Sequence, residues 1–148
     1  MKLRIFATGL IWLWVTVLVL LGDRVTKLLA LQYLHTDEPL VITPFFNLIV
    51  AFNRGAAFSF LNNASGWQNI FLGGIAIIVS LAILISLYKI PAKRYWLGIA
   101  LTMILGGAFG NLWDRISYGY VIDFINLHIK QWHWPIFNIA DSAILIYF

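Results

Sequence analysis

Three aspartates, Asp114, Asp123 and Asp141, lie within residues 106–141 of a chain that has only six acidic residues. Ionisable side chains in or beside membrane-length apolar segments are costly, so they are the first candidates for function. Two carboxyl groups can hydrolyse a peptide bond when one, ionised, takes a proton from water and the other, protonated, gives a proton to the amide. The sequence therefore predicts an aspartyl protease site at a membrane surface, with Asp123 and Asp141 as its acids.

Such a pair would work with a single shared proton. Like charges that lie close together in a low-dielectric site do not both ionise, and the pKa values then belong to the pair. Other catalytic sets are missing from the sequence. Ser59 and Ser65 lack the Gly-x-Ser-x-Gly elbow, there is no His-Glu-x-x-His motif, and cysteine is absent.

A metal site is the weaker interpretation of the same residues. Three carboxylates could hold a divalent cation, but no Asp-x-Asp or other acidic cluster supports it. His128 and His133 lack a Glu or a third ligand at helical spacing, which favours interfacial loop residues over metal ligands. We therefore expect no metal and no other cofactor.

The composition is that of a membrane protein. The chain is 61% hydrophobic and 11% charged, with a mean hydropathy of +0.87, which exceeds what a water-soluble domain of this size can bury. The net charge of +4 comes without a dense basic stripe, which favours membrane orientation over nucleic-acid binding. We expect an all-α membrane protein with a single domain over residues 1–148.

Apolar runs predict a bundle of four transmembrane helices. The spans are expected at about residues 8–30, 67–88, 96–113 and 137–148. The last is too short to cross about 30 Å of hydrocarbon at about 1.5 Å per residue, so we expect the chain to continue beyond Phe148. Basic residues concentrate at the N-terminus and at 89–94, which predicts cytoplasmic termini and outer loops at 31–66 and 116–136.

The outer loops contain short structural signals. Residues 45–53 are rich in aromatic and β-branched side chains and too short to span, which predicts extended structure at the membrane surface. Residues 54–61 predict a short interfacial helix that lays Phe58 and Leu61 into the lipid. In the second loop, Asp123 lies in an extended, apolar setting.

Several polar side chains share helix faces near the predicted outer surface. Asp23 and Lys27 stand at i and i+4, so they can pair, either as interfacial charges or as part of a site. Asn111, Asp114 and Arg115 share one side of the last turn of the third helix. There the arginine either snorkels or joins a hydrogen-bonded network.

Two further pairs have simpler explanations. Asn138 and Asp141, at i and i+3, suit a helix N-cap followed by an acid in the first turn. Gly106 and Gly110 form a small-xxx-small pattern, which usually lets another helix approach closely. Capping and packing account for these residues when each pair is taken alone.

Five blocks together resemble, in order and spacing, the bacterial lipoprotein signal peptidase (signal peptidase II) family. They are Asp23-x-x-x-Lys27, Asn53-x-Gly55-Ala56-Ala57-Phe58-Ser59, Gly106-Gly107-Ala108-x-Gly110-Asn111-x-x-Asp114-Arg115, Val121-x-Asp123-Phe124 and Phe137-Asn138-x-Ala140-Asp141-Ser142. Each block is weak alone, but five in sequence on this hydropathy profile are specific. The resemblance covers nearly the whole chain.

The resemblance implies an aspartyl endopeptidase of the bacterial inner membrane, with four helices and a small sheet from the first outer loop that cradles substrate. Such enzymes cut signal peptides from diacylglyceryl-modified prolipoproteins before the lipidated cysteine, and globomycin, a lipid-tailed cyclic peptide, inhibits them. On this pattern Asp123 and Asp141 are the catalytic pair near the periplasmic face, while Asp23 and Lys27 brace the site. The residues that line and support it are Asn53, Gly55, Asn111, Asp114, Arg115 and Asn138. Membrane lipids are implied partners, nucleic acid is not, and we expect a monomer.

Two other classes of protein remain open at the level of the residues. A small transporter or proton-relay protein also carries intramembrane acids and bases. It predicts polar residues at the bilayer midplane, where the second helix and the middle of the third are apolar. A catalytically silent assembly protein would use the aspartates for structure alone.

Overall fold

The computed structural model describes residues 7–55 and 66–146, which are mostly helical with one small antiparallel sheet. Three of the described helices are long and apolar enough to cross a membrane: Gly9–Tyr33, Trp67–Lys89 and Tyr95–Tyr118. A mostly helical membrane architecture is therefore confirmed. The interfacial helix predicted over residues 54–61 falls almost wholly outside the described residues.

The first and third long helices are arranged so that their polar halves meet. The α-helices are α1 (Leu13–Tyr33), α2 (Trp67–Lys89), α3 (Tyr95–Tyr118) and α4 (Ile139–Leu145). A 3-10 turn at Gly9–Trp12 leads into α1, and the Gly9 N–H donates to the Ile90 carbonyl oxygen at 2.8 Å. This bond ties the start of α1 to the turn between α2 and α3. The C-terminal halves of α1 and α3 consequently lie together at the opposite end.

The third helix continues past residue 113, where its span was expected to end. It stops at Gly119, which has a φ of 77° and whose N–H donates to the Arg115 carbonyl oxygen at 3.1 Å. Glycine adopts this left-handed conformation without the clash that a Cβ would cause, so it is a common helix terminator. Asn111 and Asp114 therefore lie inside α3 rather than in its last turn, which corrects their predicted position.

The segments that follow α1 and α3 both contribute to the sheet. Its order is β1-β2-β3-β4, and each neighbouring pair is antiparallel. The strands are β1 (Leu40–Thr43), β2 (Phe46–Asn53), β3 (Val121–Ile129) and β4 (Trp132–His133). The extended structure expected at residues 45–53 corresponds to β2, and Asp123 lies on β3 as expected. A small sheet from the outer loops is expected, and the first of these loops supplies β1 and β2 while the second supplies β3 and β4.

The pairing of β2 with β3 positions the first acid. Ala51 lies opposite Asp123, and Asn53 lies opposite Val121, after a register irregularity between Leu48 and Ala51. Residues facing each other across an antiparallel pair point to the same side of the sheet. Asn53 and Asp123 are therefore on one side, within reach of each other.

Glycines on α3 let α1 and α4 approach its backbone. A Cβ added at Gly106 would lie 2.7 Å from the Val19 Cβ and 3.1 Å from the Thr16 carbonyl oxygen. A Cβ at Gly110 would lie 2.6 Å from Oδ2 of Asp23, and one at Gly107 would clash with the Ala140 carbonyl. The close approach predicted at Gly106 and Gly110 is confirmed. Gly107 allows α4 to approach α3 closely in the same way.

The substitution Gly106→Ala tests this packing. Its new methyl group meets the backbone-attached Cβ of Val19, which cannot rotate away, so we expect a lower melting temperature in detergent and a loss of about 1–3 kcal/mol. Gly74→Ala on α2 is the matched control, because nothing lies within 4 Å of its added Cβ. Equal melting temperatures for the two variants would contradict the close-approach interpretation.

Candidate active site

A buried ion cluster joins α1 to α3. Lys27 Nζ lies 2.7 Å from Asp23 Oδ2 and 2.8 Å from Asp114 Oδ2, and all three side chains are at most 1% exposed. The same ammonium donates to Asn111 Oδ1 at 3.2 Å. The pairing expected for Asp23 and Lys27 is confirmed. Asp114 was not expected to share their cation.

Arg24 completes this cluster, and the sequence interpretation missed it. Its NH1 donates to Asp114 Oδ1 at 3.1 Å. Two acids and two bases thus balance in charge across the helix pair. The signal was available, because Arg24 precedes Lys27 by three residues and so lies on the same helix face.

Asp123 on β3 is held by two amide donors. Its Oδ2 accepts from Asn53 Nδ2 at 3.1 Å, and its Oδ1 accepts from Asn138 Nδ2 at 2.7 Å. The residue is 2% exposed. Burial, and after it the negative charge of Asp141, raise the pKa of Asp123 to about 7. This carboxyl can therefore hold a proton at neutral pH.

Asp141 lies in the first turn of α4 and completes a capping box. Its backbone N–H donates to Asn138 Oδ1 at 2.9 Å, and its Oδ2 accepts from the Asn138 N–H at 3.2 Å. The predicted cap is confirmed, but capping uses only one carboxylate oxygen. The other, Oδ1, accepts from Asn111 Nδ2 at 2.7 Å.

Asn138 brings the two acids together. Its side-chain amide reaches Asp123, and its backbone N–H reaches Asp141. The same amide also donates to Asn111 Oδ1 at 3.1 Å, and Asn138 is wholly buried. Asp123 and Asp141, separate in the sequence, thus share one hydrogen-bonded network and one electrostatic environment.

Gly55, two residues after β2, and Arg115 on α3 line the same network. The Gly55 N–H donates to Asn53 Oδ1 at 2.9 Å, and its carbonyl oxygen accepts from Arg115 NH2 at 3.2 Å. Arg115 also interacts electrostatically with Asp123 and Asp141. The residues named from the sequence therefore lie around the two acids.

The two histidines lie apart from this network. His128 and His133 stack at the end of the β3–β4 hairpin, with ring centroids 5.0 Å apart, and His133 Nδ1 lies 3.2 Å from Asn126 Oδ1. Within residues 7–55 and 66–146, no group of three or more His, Cys, Asp or Glu side chains could hold a metal ion.

A helical membrane protein with two aspartates held by asparagine amides, Asp123 buried and Asp141 half-buried, has the features of a membrane-embedded aspartic peptidase. Comparison with known proteins identifies the family. The family described as signal peptidase (SPase) II matches residues 15–147. The chain therefore belongs to the signal peptidase II family, the aspartic lipoprotein signal peptidases that remove signal peptides from prolipoproteins.

Individual members of this family are similar to the chain in sequence over nearly its whole length. The lipoprotein signal peptidase of Photorhabdus laumondii is 47% identical over 146 residues, covering 99% of this chain and 87% of the relative. That of Yersinia enterocolitica is 48% identical, covering 99% and 86%. A solved bacterial membrane enzyme superposes with a TM-score of 0.80 at 31% identity, covering 91% of this chain and 80% of that one.

Lys27→Met tests the buried ion cluster. It leaves Asp23 and Asp114 buried without their shared ammonium, so we expect a loss of about 3–5 kcal/mol and a clear fall in melting temperature. Lys89→Met, at the exposed end of α2, removes the same charge and serves as the control. A Lys27→Met protein as stable as the Lys89→Met protein would show that the cluster does not contribute as described.

Proposed function

We propose that Asp123 and Asp141 are the catalytic pair, and that they cut diacylglyceryl-modified prolipoproteins just before the lipidated cysteine. The observation that carries this proposal is the bridge made by Asn138, which contacts both carboxyl groups at 2.7 and 3.2 Å. Two separate structural aspartates would need no such shared residue. Asn53 and Asn111 each donate to the second oxygen of one carboxyl group, Asn53 to Asp123 and Asn111 to Asp141, and so fix the position of both.

The two carboxyl groups divide the chemistry between them. With one proton on the pair, the ionised carboxylate takes a proton from water as the water oxygen attacks the scissile carbonyl carbon. The protonated carboxyl then gives its proton to the amide nitrogen as the carbon–nitrogen bond breaks. The first carboxyl has gained a proton and the second has lost one, so the pair again holds a single proton. This cycle needs no metal or nucleotide.

The charges around the pair suit the singly protonated state. Two carboxyl groups holding one proton carry one negative charge, and the Arg115 guanidinium balances it. The ion cluster of α1 and α3 is already neutral by itself. A second ionised carboxylate would therefore be an uncompensated buried charge, which low-dielectric surroundings disfavour.

The topology that we propose puts this site at the periplasmic face of the inner membrane. The polar residues of α1 and α3 lie in their C-terminal halves, at the end opposite the basic turn at 89–94. Basic turns favour the cytoplasm, so both termini are cytoplasmic and the sheet is extracytoplasmic. We propose that α4 begins the fourth span of one membrane domain covering residues 1–148, with the site at the lip of the bilayer.

This placement suits a lipidated substrate. A signal peptide is itself a membrane helix, so its scissile bond reaches the enzyme where that helix ends. The two acyl chains can lie between the protein and the surrounding lipid, where they provide anchoring as well as recognition. We propose membrane lipids and globomycin-type cyclic peptides as further ligands, and a monomer as the working unit.

Asparagine substitutions test the two catalytic assignments. Asp123→Asn and Asp141→Asn should each lower cleavage of a purified diacylglyceryl-modified precursor by at least about 10³-fold, because an amide side chain acts neither as the base that takes a proton from water nor as the acid that gives one to the leaving nitrogen. Both proteins should insert and unfold normally. Asp37→Asn, at an exposed position in the first loop, is the control. Substantial turnover by either variant would remove that aspartate from the mechanism.

The pH dependence of kcat/KM provides a second test. Because the pKa of Asp123 is raised to about 7, the pair should lose its shared proton, and the enzyme its activity, as pH rises through about 7. The Asn53 hydrogen bond favours the ionised form, so Asn53→Ala should raise the pKa of Asp123 further and move the alkaline limb to higher pH. Asn47→Ala on the same strand is the control. A limb that stays fixed or moves to lower pH in Asn53→Ala would contradict this assignment.

A further inference from the structure

Arg24 is a charged residue that the proposed mechanism does not use. Its side chain is 26% exposed, and its NH1 lies 3.1 Å from Asp114 Oδ1. Its NH2 donates to the Tyr118 hydroxyl, and the guanidinium lies 5.3 Å from the centroid of the Tyr118 ring. A guanidinium fixed by a carboxylate, a hydroxyl and an aromatic face has one defined position.

Asp114 links this guanidinium to the strand that carries the first acid. Its Oδ2 accepts from the Ile122 N–H at 3.1 Å. The Ile122 carbonyl oxygen accepts from Asn138 Nδ2 at 3.2 Å. Ile122, which immediately precedes Asp123, is thus held at both its N–H and its carbonyl oxygen. A shift of Asp114 would be transmitted directly to the Asp123 carboxyl.

Arg24 also decides the local charge balance. Lys27 is shared between two buried carboxylates, so Asp114 depends on Arg24 for a full positive charge. Charged and titratable groups face this region from α1, α3 and α4: Asp23, Arg24 and Lys27, then Asp114, Arg115 and Tyr118, then Asp141. Without Arg24, one more negative charge would remain uncompensated beside the catalytic pair.

We infer that Arg24 is a positioning residue for hydrolysis, which acts through Asp114 and the Ile122 peptide to hold the Asp123 carboxyl in its working place. It touches neither the reacting atoms nor the two acids. The inference rests on the proposed role of Asp123 and Asp141. Through Arg24, α1 helps to set both the geometry and the charge of the site.

The test is steady-state kinetics of Arg24→Gln across pH, with a diacylglyceryl-modified precursor. We expect kcat to fall about tenfold, because small misplacements of a catalytic group are costly, with little change in KM. The uncompensated charge of Asp114 should favour protonation of the pair, so the alkaline limb should move up by about 0.5 on the pH scale. Arg24→Lys keeps the charge and should restore the limb.

Arg94→Gln is the matched control, because it removes the same charge at the exposed opposite end of α3 and should change neither kcat nor the pH profile. A folded Arg24→Gln protein with wild-type kcat and pH profile would overturn the inference. So would a rise in KM alone, which would make Arg24 a substrate contact.

A milder variant covers the case in which Arg24→Gln does not fold. Tyr118→Leu removes the hydroxyl and ring contacts but keeps the arginine, and it should lower kcat roughly threefold. An unchanged kcat in Tyr118→Leu would count against the inference. Failure here is distinct from failure of the proposed function, because Asp123→Asn would still be inactive if only the role of Arg24 were wrong.

Discussion

A carboxylate removed from water must be compensated, and this constraint shapes the centre of the molecule. Asp23, Asp114 and Asp123 are each at most 2% exposed. The first two are neutralised by Lys27 and Arg24 on rigid helices, which makes the α1–α3 pair a fixed frame. Asp123 has amide donors instead of a direct cation, so its remaining charge is best relieved by a proton. The same physical requirement thus produces a structural cluster and a reactive one, side by side.

The start of α4 belongs to both clusters. Asn138 caps this helix through its side-chain oxygen and reaches Asp123 through its side-chain nitrogen. Two residues later, the Ala140 N–H donates to Asp23 Oδ1 at 3.0 Å. The N–H groups at this helix start, which would otherwise lack partners, are therefore satisfied by the capping box and by Asp23 of α1. Because of these bonds, the position of Asp141 depends on α1 as well as on its own helix.

Local spacing predicted much of this arrangement, and non-local pairing did not. The Asp23–Lys27 pair, the capping box and the close approach at Gly106 follow from contacts within one helix turn or from side-chain size. The pairing of Ala51 with Asp123 joins distant segments of the chain. Its register depends on the shift between Leu48 and Ala51, which the sequence pattern of β2 does not predict. The sharing of Lys27 by Asp114 likewise depends on how α1 and α3 are aligned. The two acids follow from the chemistry that paired carboxyl groups can do, whereas the other residues that line and support the site follow from the five blocks of the resemblance.

Infrared titration of the purified protein in lipid detects the shared proton of the pair directly, because the carbonyl stretch of a protonated carboxyl reports its proton without reference to turnover. Asp123→Asn and Asp141→Asn assign the bands that belong to the pair. We expect a single protonated carboxyl on the pair at about pH 6, and its proton should be lost as pH rises through about 7. A pair already fully ionised at about pH 6, or one that holds two independent protons there, would contradict it.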